Sequence, residues 1–209
     1  MKRKGAAEKR RLERLRSHER LLEQMGIAPV AGVDEVGMGP LAGPVVAAAV
    51  ILPPLPLLLG LDDSKLLTRL ARERIDTEIR SIAIAVAIGL ASVAEIDEIN
   101  IYQAGLLAMR RAIEGLEVAP RHVLVDARSI PGIAPTQTAF AKGDGRIYSI
   151  AAASVVAKVY RDRLMAELAV EHPGYGFDGH CGYATAEHRR AIRQLGPCAA
   201  HRRSFTLPT

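Results

Sequence analysis

Residues 31–44, with the sequence AGVDEVGMGPLAGP, constrain the possible folds more than any other segment of the chain. The valines on either side of Asp34 and Glu35 predict a strand, in which successive side chains point to opposite faces of a sheet. The glycines and prolines that follow predict a turn into a second strand. Because carboxylates in a buried strand are costly unless a cation or hydrogen-bond donors compensate them, the acidic pair calls for a chemical explanation.

Composition indicates one globular main domain with a core of small and branched aliphatic side chains. The 209 residues are 49% hydrophobic and only 4% aromatic. The two cysteines, Cys181 and Cys198, provide no disulfide framework and favour a reducing compartment. We see no secretory signal, and prolines interrupt the longest apolar run at residues 44–61. We therefore expect a cytoplasmic protein that does not enter a membrane.

Charge is distributed unevenly along the chain. Residues 1–20 contain nine Lys or Arg and three Glu, and the segment from Arg189 onward contains five Arg and no acid. The 14 basic and 20 acidic residues of the stretch 21–188 leave it with a net charge of −6. An acidic centre between basic ends suits a cation-filled pocket that meets a polyanion. For residues 1–20 alone, a solvated basic tail is an equally good explanation.

Residue periodicity predicts a mixed α/β protein with a layered architecture. The predicted strands are 30–36, 45–52, 81–91, 122–126 and 137–140, and the first two are expected to be antiparallel neighbours. The predicted helices are 6–25, 69–80, 94–98, 101–116, 149–171 and 184–195. We interpret residues 1–26 as a basic N-terminal helical arm, with Leu12, Leu15, Leu22 and Met25 on one apolar stripe. Residues 27–209 then form the main domain.

Two further acids lie where they could join the first pair. Asp126 ends the predicted strand HVLVD, and Asp144 lies between two glycines just before a long helix. If the sheet brings these strand ends together, Asp34, Glu35, Asp126 and Asp144 form one acidic cluster. Oxygen ligands suit Mg²⁺ or Mn²⁺, and two such ions can stabilise the attacking and leaving oxygens of a phosphoryl displacement. From composition alone, ordinary surface positions remain an alternative for Asp126 and Asp144.

Other chemistries find less support in the sequence. There is no P-loop, and the glycines at 37, 39 and 43 miss the dinucleotide-binding spacing. Ser154 lacks a nucleophile elbow, so we predict that it packs a helix. A zinc site is a minor alternative, because the potential ligands lie close in sequence but match no standard zinc spacing. Those potential ligands are His180, Cys181, His188, Cys198 and His201.

Several blocks, in a fixed order between residues 30 and 205, resemble the ribonuclease HII family of bacterial type 2 ribonucleases H. The early blocks are GVDEVGMGPLAGPVVAAAVIL, Asp63-Ser64-Lys65, Asn100-Ile101 and the VLVD strand. The later blocks are KGD, SIAAAS, AKVYRDRL, Tyr175-Gly176-Phe177, GHCGYAT, Gly196-Pro197 and HRRSF. A single block would be weak support, but the joint order is specific.

This resemblance implies a ribonuclease H-like fold, with a five-stranded mixed sheet flanked by helices and a helical C-terminal region. It implies an endonuclease that uses two Mg²⁺ or Mn²⁺ ions to cleave the RNA strand of RNA–DNA hybrids. Single ribonucleotides embedded in duplex DNA would also be substrates, which implies a place in ribonucleotide excision repair. The products would carry 3′-hydroxyl and 5′-phosphate ends. We further expect a monomer.

The resemblance also assigns roles to individual residues. Asp34, Glu35, Asp126 and Asp144 match the family's catalytic and metal-binding carboxylates. The turn Gly37-Met38-Gly39 would contact the 2′-hydroxyl, Tyr183 would stack on the next sugar, and Lys65 would neutralise a phosphate. Without the resemblance, a solvated loop lysine and a buried structural tyrosine remain the alternatives for Lys65 and Tyr183.

Two positions depart from the family pattern. Met38 stands where the family has Arg, and Cys181 stands where Lys is common, so two potential phosphate contacts are lost. We therefore expect weaker substrate binding and a looser preference for ribonucleotide junctions. Ribonuclease HIII, which also lacks that Arg, is one alternative, although the block Pro40-Leu41-Ala42-Gly43-Pro44 is of the HII type. A noncatalytic nucleic-acid-binding module is the other, although a phosphate binder gains nothing from four buried acids.

Overall fold

A computed structural model describes residues 2–208, with the backbone alone for residues 2–4. Met1 and Thr209, which bound the predicted arm and domain, lie outside the described residues. The strands are β1 (Val30–Val36), β2 (Val45–Ile51), β3 (Ala85–Ala91), β4 (His122–Asp126) and β5 (Thr136–Phe140). The helices are α1 (Lys2–Leu15), α2 (Ser17–Gln24), α3 (Arg69–Ile82), α4 (Val93–Glu114), α5 (Tyr148–Glu171), α6 (Phe177–His180) and α7 (Ala186–Leu195). A 3₁₀ turn at Gly143–Gly145 precedes α5.

The five strands form one mixed sheet in the order β3-β2-β1-β4-β5. As predicted, β1 and β2 are antiparallel neighbours, and β2 pairs antiparallel with β3. The pairs β1–β4 and β4–β5 are parallel. The register pairs Val33 with Val125, so Asp34 and Asp126 lie side by side where β4 ends. The predicted mixed sheet with flanking helices is confirmed.

Alternation along the strands divides the core between the two faces of the sheet. Ala31, Val33 and Val125 pack with α4 on one face. The opposite face is covered by α5 and α3, whose apolar side chains pack with those of β2. Gly32 lies on this second face, where a Cβ atom would come within 2.1 Å of the Ser149 carbonyl carbon. The absence of a side chain at Gly32 therefore lets α5 lie directly on β1.

The observed boundaries correct some of the predicted ones. The strand predicted over 81–91 begins at Ala85, because α3 continues through Ile82. Ile75, Ile79 and Ile82 follow a helical spacing and pack against the same core, and this spacing outweighs the β-branched composition of the run. The two helices predicted over 94–98 and 101–116 form α4, with a break at Asn100. The short α6 was not predicted.

The N-terminal arm is two helices rather than one, because α1 ends at Leu15 and α2 begins at Ser17. Leu12 is fully buried in the core cluster beneath α5. Met25 is 64% exposed, so the predicted stripe is wrong for this residue. The physical reason is that α2 ends at Gln24 and the chain turns at Gly26, whose φ is +73°.

The C-terminal region is helical, as predicted, and forms its own small core. Tyr175, Phe177 and Ala191 pack with Ala42 and Met165. This cluster holds α6 and α7 against α5 and the loop that joins β1 to β2. Among residues 2–208, no helix combines the length and the hydropathy that spanning a bilayer would require.

We expect Gly32→Ala to lower the free energy of unfolding by about 3 kcal/mol, because the added methyl group overlaps the backbone of α5. Chemical denaturation measures this change. Gly179→Ala is the control, since a Cβ atom there would meet nothing within 4 Å. Equal stability of the two variants would contradict the close contact between β1 and α5.

Candidate active site

Three carboxylates converge at one edge of the sheet. Asp34 ends the buried part of β1, Asp126 is the last residue of β4, and Asp144 lies in the 3₁₀ turn before α5. One oxygen from each lies within 4.8 Å of the others. Asp34 and Asp144 are each only 5% exposed. Parallel pairing of β1 with β4 therefore places two of the predicted acids together, and the turn into α5 brings the third.

Glu35 lies beside this group rather than within it. Strand alternation places it on the other face of the sheet, which it shares with Ala31 and Val33. Its Oε2 atom is buried and has no hydrogen-bond partner among the described residues. Burial raises the pKa of Glu35. The positive charge of Arg128 opposes this rise, and the negative charge of Asp126 adds to it. The structure thus joins Asp34, Asp126 and Asp144, and places Glu35 next to them.

The cluster is electrostatically unfavourable without a counter-charge. Burial, followed by the charges of Glu35 and Asp126, raises the pKa of Asp34 well above its usual value. Burial also raises the pKa of Glu35 and of Asp126. The amide of Gly143 donates to Asp126 Oδ1 at 2.6 Å, and the amide of Glu35 donates to Asp34 Oδ1 at 2.8 Å. These donors offset the repulsion only partly.

These donor atoms fit a hard divalent cation. All four side chains offer carboxylate oxygens, which are the ligands that Mg²⁺ and Mn²⁺ prefer. The unpartnered Oε2 of Glu35 and the mutual repulsion of the buried acids are both relieved by added positive charge. The alternative in which Asp126 and Asp144 are scattered surface acids is wrong, since both lie in the cluster.

Lys65 provides one positive charge at the edge of the cluster. Its Nζ atom donates to Asp144 Oδ2 at 2.7 Å, while the side chain stays 75% exposed. This hydrogen bond raises the pKa of Lys65. The lysine is therefore a solvent-exposed loop residue, as in the alternative reading, that also pairs with one of the acids.

Ser154 joins the acids to the loop that carries Lys65. It is buried in α5, its Oγ atom lies 2.8 Å from Ser64 Oγ, and its hydroxyl is close enough to Asp34 to lower the pKa of that carboxyl. The sequence indicated a packing role only. A single hydroxyl on an otherwise alanine-rich stretch of a buried helix was the signal that could have identified it.

The 37–44 loop, which joins β1 to β2, lies next to the acids. At Gly37 the backbone has φ +98°, and a Cβ atom would come within 2.5 Å of Arg161 Nε. Gly39 is exposed, and a Cβ atom there would lie 3.9 Å from Tyr183 Cε1. Tyr183 is 41% exposed, so the alternative of a buried structural tyrosine is wrong. Gly39 and Tyr183 therefore share one accessible surface.

Met38 points away from that surface. Its side chain is partly buried against the core beneath α4. The Sδ atom occupies the space that a side chain at Gly105 would need, since a Cβ atom there would lie 3.0 Å away. The side chain at this position therefore packs on α4.

Two arginines that sequence reasoning missed hold the 37–44 loop in place. Arg202 is fully buried and donates to the carbonyl oxygens of Gly37, Pro40 and Gly43 at 2.6, 2.8 and 2.9 Å. Burial lowers the pKa of Arg202 to about 9. The HRRSF block was part of the family resemblance, but it did not predict this contact.

Arg161 braces the other end of the loop. It is also fully buried, and it donates to the carbonyl oxygens of Ala42 and Pro44, both at 3.1 Å. A third hydrogen bond, of 3.0 Å, reaches the carbonyl of Cys181, two residues before Tyr183. One side chain therefore connects the loop to the segment that carries the exposed tyrosine.

Two of the three histidines considered as zinc ligands, His188 and His201, form a hydrogen-bonded chain that ends at Tyr183. His188 Nδ1 donates to the Tyr183 carbonyl at 2.9 Å, and His188 Nε2 lies 3.1 Å from His201 Nε2. The amide of Cys198 donates to His201 Nδ1 at 3.0 Å. Burial lowers the pKa of His201 to about 4. Because these ring nitrogens are engaged with one another and with backbone groups, they position Tyr183 rather than form a metal site.

Comparison with known proteins shows which family the chain is similar to. The sequence model of ribonuclease HII matches residues 31–207. The chain is 50% identical over 203 residues to the ribonuclease HII of Moorella thermoacetica, covering 97% of this chain and 98% of that protein. It is 53% identical over 199 residues to that of Anaeromyxobacter sp., covering 95% of this chain but 63% of the longer relative.

A solved structure shows the same fold. The ribonuclease HII of Archaeoglobus fulgidus, solved in complex with PCNA, superposes with a TM-score of 0.74. Its sequence is 27% identical, and the match covers 87% of this chain and 97% of that chain. This chain and the Archaeoglobus fulgidus protein therefore share the mixed sheet and its flanking helices.

We expect Asp34→Asn to raise the free energy of unfolding at pH 7 in EDTA, because burial and the neighbouring negative charges raise the pKa of Asp34 in the folded chain. A carboxyl whose pKa is raised by folding destabilises the folded state once the pH exceeds its unfolded pKa, and the amide removes that charge. Thermal and chemical denaturation measure the effect. Asp178→Asn, at an exposed position, is the control, and a less stable Asp34→Asn would contradict the predicted repulsion.

Proposed function

Because the chain belongs to the ribonuclease HII family, we propose that it is a metal-dependent endoribonuclease acting on RNA paired with DNA. Its substrates would be the RNA strand of RNA–DNA hybrids and single ribonucleotides in duplex DNA. Cleavage would leave 3′-hydroxyl and 5′-phosphate ends. The observation that carries this proposal is the convergence of Asp34, Asp126 and Asp144 at one edge of the sheet.

Asp34, Asp126 and Asp144, with Glu35 beside them, are the residues that would hold Mg²⁺ or Mn²⁺. When bound, such ions neutralise phosphate charge and polarise both the attacking water and the leaving oxygen. The side chains contribute position and field rather than proton transfer. The negative charges repel one another, and bound cations would remove this repulsion, so the cluster favours cation binding.

Lys65 would supply fixed positive charge next to the scissile phosphate. Its ammonium group hydrogen-bonds Asp144 and is exposed on its other side, so it can face a phosphate oxygen without leaving the acid. The guanidinium of Arg128 lies over the exposed ring of Tyr102, with its Cζ atom 4.7 Å from the ring centroid. Its positive charge opposes the rise that burial causes in the pKa of Glu35. These two cations would orient the negatively charged backbone over the acids.

Selection of RNA would depend on the 37–44 loop and Tyr183. The backbone of Gly37-Met38-Gly39 would hydrogen-bond the 2′-hydroxyl, the group that distinguishes RNA from DNA. Gly39 leaves the surface open, and the ring of Tyr183 beside it would stack on the next sugar. Arg202 and Arg161 hold the loop carbonyls, so the loop would keep its shape when the substrate binds.

Other expectations are supported less directly. The noncatalytic alternative is disfavoured because buried acids repel phosphates unless cations are present. The match to ribonuclease HII over residues 31–207 favours this family over ribonuclease HIII. A monomeric state, a cytoplasmic location and a role in ribonucleotide excision repair stay predictions.

We expect the protein to cleave a labelled RNA–DNA hybrid and a duplex with one ribonucleotide in Mg²⁺ or Mn²⁺, and to be inactive in EDTA. Asp126→Asn should reduce kcat by about a thousandfold, because several kcal/mol of transition-state stabilisation depend on the ions. Gel assays measure the products and their ends. Glu117→Gln, before the distant end of β4, is the control. No cleavage by the native protein, or undiminished cleavage by Asp126→Asn, would refute the proposal.

Met38→Arg tests the proposed cause of weaker substrate binding. A guanidinium cannot take the place of Met38 in the apolar packing on α4, so the arginine side chain should turn to the exposed face of the loop. We then expect kcat/KM for a duplex with one ribonucleotide to rise about tenfold, because a charge-assisted contact with phosphate is worth about 1–3 kcal/mol. Met38→Leu separates this gain from the lost packing on Gly105. Equal kcat/KM values for the native protein and Met38→Arg would contradict the proposal that the missing arginine weakens substrate binding.

A further inference from the structure

The N-terminal arm contacts both chain segments that carry the Lys65–Asp144 ion pair. The two side chains meet at 2.7 Å, although their segments come from distant parts of the sequence. Lys65 follows the loop at residues 58–62, and Asp144 precedes the start of α5. Each of these segments is bound by a different helix of the arm.

Helix α1 binds the segment that leads to Lys65. Glu8 Oε1 accepts a hydrogen bond from the amide of Gly60 at 3.1 Å. Arg11 donates to the carbonyl of Leu61, and its Nη1 atom lies 3.5 Å from Asp62 Oδ2. Glu8 and Arg11 also pair with each other at 2.9 Å, which orients both side chains before they reach the loop.

Helix α2 binds the segment that follows Asp144. Glu19 is only 5% exposed, and its Oε1 atom accepts from the amide and the hydroxyl of Ser149 at 2.8 and 2.7 Å. The residue before α5, Ile147, provides no side-chain cap for this helix. Because the first amides of a helix have no partner within it, Glu19 supplies the cap from 130 residues away.

The arm is held in this position by apolar packing. Leu12 is fully buried with Leu58, Leu61 and Tyr148, which belong to the same two segments. The hydroxyl of Tyr148 also accepts from the amide of Leu58 at 2.8 Å. The arm, the 58–62 loop and the start of α5 therefore form one packed unit behind the ion pair.

We propose that the N-terminal arm positions the Lys65–Asp144 pair, with Glu19 and Arg11 as positioning residues. This inference rests on the proposed function, in which Asp144 holds a cation and Lys65 meets the phosphate. It differs from the expectation of a basic tail that only attracts nucleic acid. A buried carboxylate such as Glu19 contributes nothing to that attraction, whereas a helix cap requires its oxygen.

The first test compares Glu19→Met with Glu19→Gln in the full chain. Gln keeps an acceptor oxygen at the position of Oε1, and Met has similar length but no acceptor. Calorimetric titration with Mn²⁺ in the absence of nucleic acid should show about tenfold weaker binding for Glu19→Met. This is the lower end of the effect of losing a direct partner of a metal ligand, because Glu19 acts on Asp144 only through the start of α5. Its kcat should fall to a similar degree with little change in KM, and Glu19→Gln should restore both.

The second test compares Arg11→Met with Arg14→Met. Both remove one positive charge from α1, but Arg14 is exposed, while Arg11 contacts the 58–62 loop. Positioning predicts a lower kcat for Arg11→Met alone, whereas simple attraction predicts equal changes in the salt dependence of binding and no change in kcat. Thermal unfolding of each variant shows whether it is folded at the assay temperature.

The proposal is overturned if Glu19→Met binds Mn²⁺ and turns over like the native protein, even with a lower Tm. It is also overturned if Arg11→Met and Arg14→Met behave alike. The Mn²⁺ titration requires no cleavage. If the native protein cleaves no hybrid but Glu19→Met still binds Mn²⁺ more weakly than Glu19→Gln, the proposed function fails and the positioning of Asp144 by the arm stands.

Discussion

The repulsion among buried carboxylates is the constraint around which the rest of the molecule is arranged. Parallel pairing of β1 with β4 places Asp34 and Asp126 side by side, and the turn before α5 adds Asp144. Burial raises the pKa of both strand acids, which means that their charged forms are unfavourable in the folded chain unless positive charge or donors lie close by. A backbone amide from the 3₁₀ turn, a hydroxyl from α5 and the ammonium of Lys65 offset part of that cost. Divalent cations, which prefer carboxylate oxygens as ligands, are chemically suited to offset the rest.

A second arrangement of buried charge surrounds the first. Arg161 and Arg202 are both fully buried, and their donors are directed to backbone carbonyl oxygens of the 37–44 loop. Breaking either set of bonds would leave an unsatisfied buried guanidinium, which is costly, so the loop has little freedom to change shape. The histidine chain that ends at the Tyr183 carbonyl extends this frame. These contacts thus fix the position of the exposed Gly39–Tyr183 surface relative to the acids.

Much of the fold was predictable, and the failures have a common cause. The ranges of β1 and β4 are predicted to the residue, because apolar alternation ends at charged or turn-forming residues in both strands. The start of β3 is wrong because Ile82 belongs to the buried side of α3. Arg161, Arg202 and Glu19 escaped sequence reasoning because their partners are backbone groups or side chains far along the chain, and no local pattern signals such contacts.

The sequence by itself determined the mixed α/β class, the family and the four candidate carboxylates, since these depend on local periodicity and on motifs that can be read in order. Tertiary structure alone decided how those groups are used. It separated Asp34 from Glu35 across the sheet, turned Met38 inward onto Gly105 and placed the arm behind the Lys65–Asp144 pair. These outcomes depend on which distant segments pack together, and packing is set by the whole core rather than by any one stretch of residues.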